Sequence, residues 1–200
     1  MNKLIALILL LIIAPILGGA YGIVHDQITY TISNEYYSKF KFIQFGLNNW
    51  GMGENIGTET TPEIKLNNPR IGAAIVGFLA TWWVGMIIGI ILGLIGLIHR
   101  NGKEMFKITM RATLITIGIA LIVGIIGLIY GKLFLASNPP NWFLPENLIN
   151  RTNFIMVGSM HNFSYLGGLI GMIVSVTYSI QKKRKIKTEY NRVDGPTNRN

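Results

Sequence analysis

Four long apolar runs set the pattern of the chain: Leu4 to Val24, Ile71 to Ile98, Ile108 to Tyr130, and Phe154 to Ile180. Each is longer than the ~18–20 residues that carry an α-helix across a hydrocarbon core of about 30 Å. Charges are nearly absent inside them, and Arg111, the main exception, lies at one end of its run. The polar stretches between them divide the chain into eight parts. Transmembrane helix 1 is expected over residues 1–24, a cap loop over 25–69 and helix 2 over 70–98. A short turn over 99–107 leads to helix 3 over 108–130. A loop over 131–152, helix 4 over 153–180 and a basic tail over 181–200 complete the order.

The polar stretch after the first run has a finer pattern. Gln27-Ile28-Thr29-Tyr30-Thr31-Ile32 alternates strictly and is rich in β-branched residues, which predicts a short strand. Ser33-Asn34 followed by Glu35 is a helix-start signal, with an acid placed where the helix dipole favours it. Tyr36, Phe40 and Ile43 then recur at helical spacing, with Tyr37, Phe42 and Phe45 beside them. An aromatic helix of this kind suits the headgroup layer. Residues 47–68, with their Gly, Asn and Pro clusters, read as loop. The fold class expected is an all-α integral membrane protein. Its four transmembrane helices form a four-helix bundle under an extracytoplasmic strand-plus-aromatic-helix cap.

Glycines mark the faces along which the helices pack. Gly85, Gly89 and Gly93 recur every four residues in span two, and Gly167 and Gly171 do so in span four. Such ridges let helices approach closely where no hydrophobic drive operates between them. A weak internal echo accompanies them. Gly18-Gly19-Ala20-Tyr21-Gly22 closes span one as Gly127-Leu128-Ile129-Tyr130-Gly131 closes span three. Arg70 precedes Val76-Gly77 as Arg151 precedes Val157-Gly158. Two duplicated hairpins in one orientation would produce this.

Half of the residues are hydrophobic and 14% are charged, too few charges to wrap a soluble globule of 200 residues. The net charge of +9 is concentrated in three places: Lys3; Arg100, Lys103, Lys107 and Arg111; and Lys182, Lys183, Arg184, Lys185 and Lys187. In a four-span chain these fall on one side, which the positive-inside bias makes cytoplasmic. The stretch 25–70 is nearly balanced, with Asp26, Glu35, Glu54, Glu59 and Glu63 against Lys39, Lys41, Lys65 and Arg70. The expected location is therefore the cell (inner) membrane, multi-pass, with both termini cytoplasmic. The charges serve the lipid bilayer rather than nucleic acid, for which no binding module is present, and a homo-oligomer or membrane partner fits the remaining surface. Lys3 ahead of the first run and Gly18-Gly19-Ala20 near its end resemble a signal peptide. The run exceeds the usual 7–15-residue apolar core of such peptides, so a retained signal anchor is expected, kinked at Pro15.

The chemistry available is narrow. The chain has no cysteine, so disulfides, thiolate metal sites and thiol nucleophiles are excluded. Span four holds Ser159-Met160-His161-Asn162-Phe163-Ser164-Tyr165. His161 follows Asn153 by about eight residues, ~12 Å along a helix. Polar groups at that depth should face inward and find partners. The candidate polar cluster is His25, Asp26, Glu35, His161, Asn162, Ser164 and Tyr165. The favoured expectation is a non-catalytic structural or partner-binding protein in which these residues hydrogen-bond one another. One alternative is small-solute, ion or proton transport through an oligomer, along His161, Asn162, Ser164 and Tyr165. Another is an outer-face metal site or membrane enzyme using His25 and His161, where two imidazoles and a carboxylate suit zinc with an open position. No H-E-x-x-H or G-x-S-x-G pattern is present, and no catalytic residue or cofactor is assigned from the sequence.

The stretches HDQITYTISNEYYSKFKFIQFG (25–46) and MHNFSYLGGLIG (160–171) resemble the signature segments of a family of uncharacterised bacterial four-span membrane proteins. In that family the first reads H-D-Q-x-x-Y-T-x-S-P-E-Y-F-x-x-F-K-F-x-Q-F and the second M-H-N-F-S-Y-L-G-G. Asn34 stands here where proline is common, and Tyr37 where phenylalanine is frequent. LATWWVGMIIG (79–89) is also similar, so the resemblance extends over most of residues 20–175. It implies the four-span fold and supplies no mechanism.

Overall fold

The computed structural model describes residues 1–193 and contains four helices long and apolar enough to cross a membrane. They are α1 (Lys3–Ile32), α4 (Pro69–Gly96), α5 (Gly102–Tyr130, continued by a π-helical turn Gly131–Leu135) and α6 (Arg151–Val193). Between α1 and α4 lies a cap made of α2 (Asn34–Tyr36), a π-helical turn Tyr37–Lys41, α3 (Phe42–Gln44), and strands β1 (Gly53–Asn55) and β2 (Ile64–Leu66). The chain is an all-α multi-pass membrane protein with one small antiparallel hairpin. Ile8, Ile12, Ile16, Ile90, Leu94, Ile122, Ile126, Leu166 and Ile173 are exposed and form the apolar belt that a bilayer covers.

Two corrections to the expected elements concern the cap. The strand expected over Gln27–Ile32 is instead the last turns of α1, which runs for 30 residues, ~45 Å against a hydrocarbon core of about 30 Å. Its β-branched hydroxyls are satisfied inside the helix: Thr29 donates to His25 O at 3.1 Å and Thr31 to Gln27 O at 2.9 Å. Extending an existing helix is far easier than starting a new element, and this outweighs a weak β preference. The expected loop over 47–68 contains the β1–β2 hairpin, with Glu54 opposite Lys65 and the buried Ile64 and Leu66 facing the cap core. Ser33 ends α1 in an extended conformation and starts the next helix, its Oγ accepting from Tyr36 N at 3.2 Å. At the other end of the chain, α6 continues beyond the span expected to stop at 180, as far as Val193. The rest of the tail lies outside the described residues.

α1 packs along α4, and α5 along α6, while α4 meets α6 only sparsely. Both tight pairs cross at glycines. A Cβ on Gly22 would collide with the Gly77 carbonyl, and one on Gly77 with the Gly22 carbonyl. Gly131, which corresponds to Gly22 in the G-x-x-Y-G echo, rests on Met156 and Ser159, the latter next to the Gly158 that corresponds to Gly77. The ridge glycines contribute as their spacing implies. Gly85 lies on Ala14 and Gly18, Gly89 on Ala14, Gly93 on Leu7, Gly167 on Ala120 and Val123, and Gly171 on Thr116 and Ile119. Hydroxyls add polar adhesion in the second pair, where Thr116 meets Ser175 at 2.9 Å and Ser159 donates to Gly127 O at 2.7 Å.

The cap is tied down at both sides. Its core of Tyr36, Tyr37, Phe42, Leu47, Ile64 and Leu66 packs on Ala73 and Val76 of α4 and on Phe154 and Val157 of α6. Arg70, at the start of α4, reaches Gln27 Oε1 and Thr31 Oγ1 at 3.2 Å each and lies over the Tyr30 ring.

Candidate metal centre

Asp26 is the hub of a buried cluster at the cap end. Its Oδ1 lies 3.0 Å from His25 Nδ1 and 3.3 Å from His161 Nε2. The two imidazoles stand edge to face with centroids 4.7 Å apart. His25 is 4% exposed, Asp26 3% and His161 8%. The helical continuation of α1 creates this arrangement, since it carries His25 and Asp26 on the turn that faces α6. From α6, His161 and Ser164 sit three residues apart and meet them on one face.

Each imidazole is held from its far side. His161 Nδ1 lies 2.9 Å from Val157 O. A carbonyl only accepts, so Nδ1 carries a hydrogen, and Nε2 presents either a lone pair or, on a protonated ring, a second N–H. Nε2 faces the Asp26 carboxylate and makes no well-directed hydrogen bond among the described residues. Two electron-rich atoms at 3.3 Å repel unless a cation or proton lies between them. His25 Nε2 lies 3.1 Å from Ser164 Oγ. A hydroxyl can donate or accept, so His25 can present either an N–H or a lone pair to Asp26. Asp26 Oδ2 is buried without a hydrogen-bond partner among the described residues.

The donor atoms of His25, Asp26 and His161 lie within 4.8 Å of one another. Ligands bound tetrahedrally at ~2.0–2.2 Å stand roughly 3.4 Å apart, close to the 3.0 and 3.3 Å separations here. Val157 O and Ser164 Oγ occupy the positions in which outer partners fix the tautomer of a metal-bound histidine. The set could hold a zinc-type ion by three protein ligands and leave a fourth position for water or substrate.

The cluster borders a cavity of about 230 Å³ between the two helix pairs. Tyr21, Ser164 and Tyr165 line it near the cluster, and Ala14, Ile117 and Met172 toward the other end. The walls are overwhelmingly apolar.

The expected cluster residues separate in the structure. His25, Asp26, His161 and Ser164 come together, and Tyr165, 45% exposed, stands at the cavity edge. Asn162 faces outward on α6. Glu35 belongs to a different site. Its carboxylate accepts from Ile149 N at 2.9 Å, Asn150 N at 2.8 Å and Lys39 Nζ at 2.8 Å. Burial pushes the Glu35 carboxyl up, yet the Lys39 ammonium and the two backbone N–H groups outweigh it and hold it below the usual range.

Several contributing residues were not singled out from the sequence. Tyr36 stacks on His161 at 5.0 Å, so the cap covers the cluster with an aromatic plate. Thr29 gives its hydrogen to His25 O, and the Tyr37 hydroxyl therefore donates to Thr29 Oγ1 at 2.6 Å. Burial, reinforced by the Asp26 charge, raises the Tyr37 phenol far above its ordinary value and keeps it neutral. The H-D-Q-x-x-Y-T spacing carries a legible signal for the clamp. On a helix Gln27, Tyr30 and Thr31 share a face, and here that face binds Arg70. No protein-family model, curated protein or solved structure matches the chain.

Proposed function

We propose that the chain is a membrane metalloprotein whose centre, His25, Asp26 and His161, has the composition of a catalytic site. The observation that carries this reading is His161 Nε2 facing a buried carboxylate 3.3 Å away while its Nδ1 is held by a backbone carbonyl. A divalent ion between them would neutralise the repulsion and could polarise a carbonyl or phosphoryl oxygen at its open position. The function is then a metal-assisted hydrolysis or transfer on a membrane-borne substrate. A sealed structural cluster and a transport path fit less well, because the cluster borders a cavity and the cavity walls are apolar away from it.

Metal analysis of the purified protein tests this, with His161→Ala and Asp26→Asn beside the wild type. The expected result is about one divalent ion per wild-type chain and loss from both variants. A metal-free wild type of normal stability overturns the metal reading. One observation supports a second reading in that case. Ser164, His25 and Asp26 are in line at 3.1 and 3.0 Å, the order of a nucleophile, its base and the group that orients the base.

For orientation, we propose that the cap end faces outward and both termini face the cytoplasm of a cell whose inner membrane holds the protein. Lys3 Nζ donates to Leu97 O at 2.8 Å, and Asn2 touches Gly102. This gathers Lys3 with Arg100, Lys103 and Lys107 at the end opposite the cap. A retained first helix is supported by α1 itself. Cleavage near Gly18–Ala20 would remove Ala14 from the cavity wall and Leu10 from its contact with Met105. Membership of the four-span family with H-D-Q and M-H-N-F-S-Y-L-G-G segments is likewise a proposal. It draws support from the convergence of those two segments on one cluster.

A further inference from the structure

The cavity has a length and a mouth that a metal centre alone does not require. It runs from Asp26 to Ala14 along α1 and from His161 to Met172 along α6, ~18 Å and ~16 Å of helix. One leaflet of a hydrocarbon core is about 15 Å deep, so the cavity is as deep as one layer of lipid tails. Its volume of about 230 Å³ exceeds the ~150 Å³ apolar hole that takes a benzene ring.

Polarity is confined to one end. Away from the cluster the hydroxyls in the wall are already engaged: Thr81 donates to Gly18 O and Gly77 O, Thr113 to Thr109 O and Thr116 to Ala112 O. A soluble polar ligand would find nothing to bind there. Ile87 of α4 and Tyr165 and Leu169 of α6 line the cavity and are also exposed on the belt surface. The mouth therefore opens sideways between α4 and α6, which meet only sparsely, toward lipid. At the cap, Lys41 donates to Gln44 Oε1 at 3.0 Å and lies over the Phe40 ring at 5.1 Å, with no carboxylate within 4 Å among the described residues. It is a cation suited to a phosphate headgroup.

We propose that the cavity takes one acyl chain of a membrane phospholipid, admitted sideways between α4 and α6, with the chain's ester carbonyl at the His25–Asp26–His161 end. The role of that carbonyl rests on the metal reading; capture of the chain does not. Gly168 makes this testable, because it lines the cavity and a Cβ there meets nothing within 4 Å. A large side chain at 168 therefore starts into open space in the cavity. Gly118 also has open space around its Cβ but lies outside the cavity, and serves as the control.

The experiment is native mass spectrometry of protein released from nanodiscs of phosphatidylglycerol, or from nanodiscs of phosphatidylcholine doped with oleic acid, with metal content measured on the same samples. The expected result is one phospholipid retained per wild-type chain and per Gly118→Phe chain. Retention should fall roughly tenfold or more in Gly168→Phe, as expected for a filled cavity, with metal content unchanged. Should Gly168→Phe fail to fold, Ala80→Leu narrows the same cavity from α4. Equal phospholipid retention in wild type and the cavity-filling variant overturns the proposal, as does a wild type that retains none or only oleic acid. Phospholipid retained by a metal-free wild type overturns the metal reading instead and leaves this one standing.

Discussion

Asp26 Oδ1 stands 3.3 Å from His161 Nε2, although 135 positions of chain separate the two residues, and a carbonyl bond at Nδ1 turns Nε2 toward the carboxylate. The contact joins α1 to α6, and a cation held between the two groups would stabilise it. Adding zinc to metal-stripped protein should therefore raise the unfolding temperature. A free ion at 100 times its dissociation constant contributes about 2.7 kcal/mol. Asp26→Asn removes the charge, keeps the shape, and should abolish the increase. An equal zinc response in Asp26→Asn would place the ion elsewhere.

Glu35 clamps the loop before α6 to the cap. Its oxygens take the N–H groups of Ile149 and Asn150, and Asn150 itself caps α6 by accepting from Asn153 N at 3.0 Å. Glu35→Gln weakens both backbone bonds and removes the nearer carboxylate of buried Lys39, which also donates to Asn147 O and lies 3.8 Å from Glu63 Oε2. Hydrogen bonds to charged groups contribute ~1.5–3 kcal/mol each, so the expected loss is about 2–3 kcal/mol. Hydrogen exchange at 149–150 should accelerate accordingly. Protection there that is unchanged in Glu35→Gln would show that the clamp is not the restraint.

The same carboxylate sets an acid limit. Its folded-state value lies below the ordinary one because Lys39 and the two N–H groups favour the charged form over the penalty of burial. A depressed carboxyl contributes stability that is full above its unfolded value and lost as pH falls through the folded value. Protection of residues 149–150 should thus be flat from neutral pH to just above the ordinary carboxylate range and decline below it. In Glu35→Gln that decline should disappear.

Much of the fold was legible in the sequence, because spans are set by runs of apolar residues and close crossings by spaced glycines. Gly85, Gly89, Gly93, Gly167 and Gly171 all lie against another helix. Thr29 and Thr31 were misread because alternation over six residues does not reveal a helix already running into them. The convergence of His25 with His161 needed two helices to meet, which local pattern does not encode. Glu35 and Asn162 were grouped with the cluster by proximity in sequence, but their helix faces turn away from it.

Gly22 and Gly77 should tolerate no side chain. Each would place a Cβ on the carbonyl of the other, so α1 and α4 would have to separate at the level of His25. Overpacking ordinarily costs ~1–3 kcal/mol, and a backbone contact leaves no rotamer to absorb it. Gly77→Val should lower the unfolding temperature and loosen the cluster, measurable as reduced metal content. Gly118→Val, in open space, should do neither.

His99 ties the basic end together and should make that end pH-sensitive. It is 1% exposed, its Nε2 meets Ser179 Oγ at 3.0 Å, and its Nδ1 lies 3.4 Å from Glu104 Oε1. Burial holds the imidazole below its ordinary value, partly opposed by Glu104 and reinforced by Lys183 and Lys3. For a histidine depressed by folding, the unfolded state takes up the proton first. The stability from the neutral ring is then complete above the unfolded value of about 6.5 and is lost as pH falls from there toward the folded value. Protection factors at residues 97–101, corrected for the intrinsic pH dependence of exchange, should fall between about pH 7.5 and 5.5. His99→Gln keeps a polar contact to Ser179 without a titrating ring, so its protection factors should not respond to pH over this range. A persistent response in that variant would assign the sensitivity to another group.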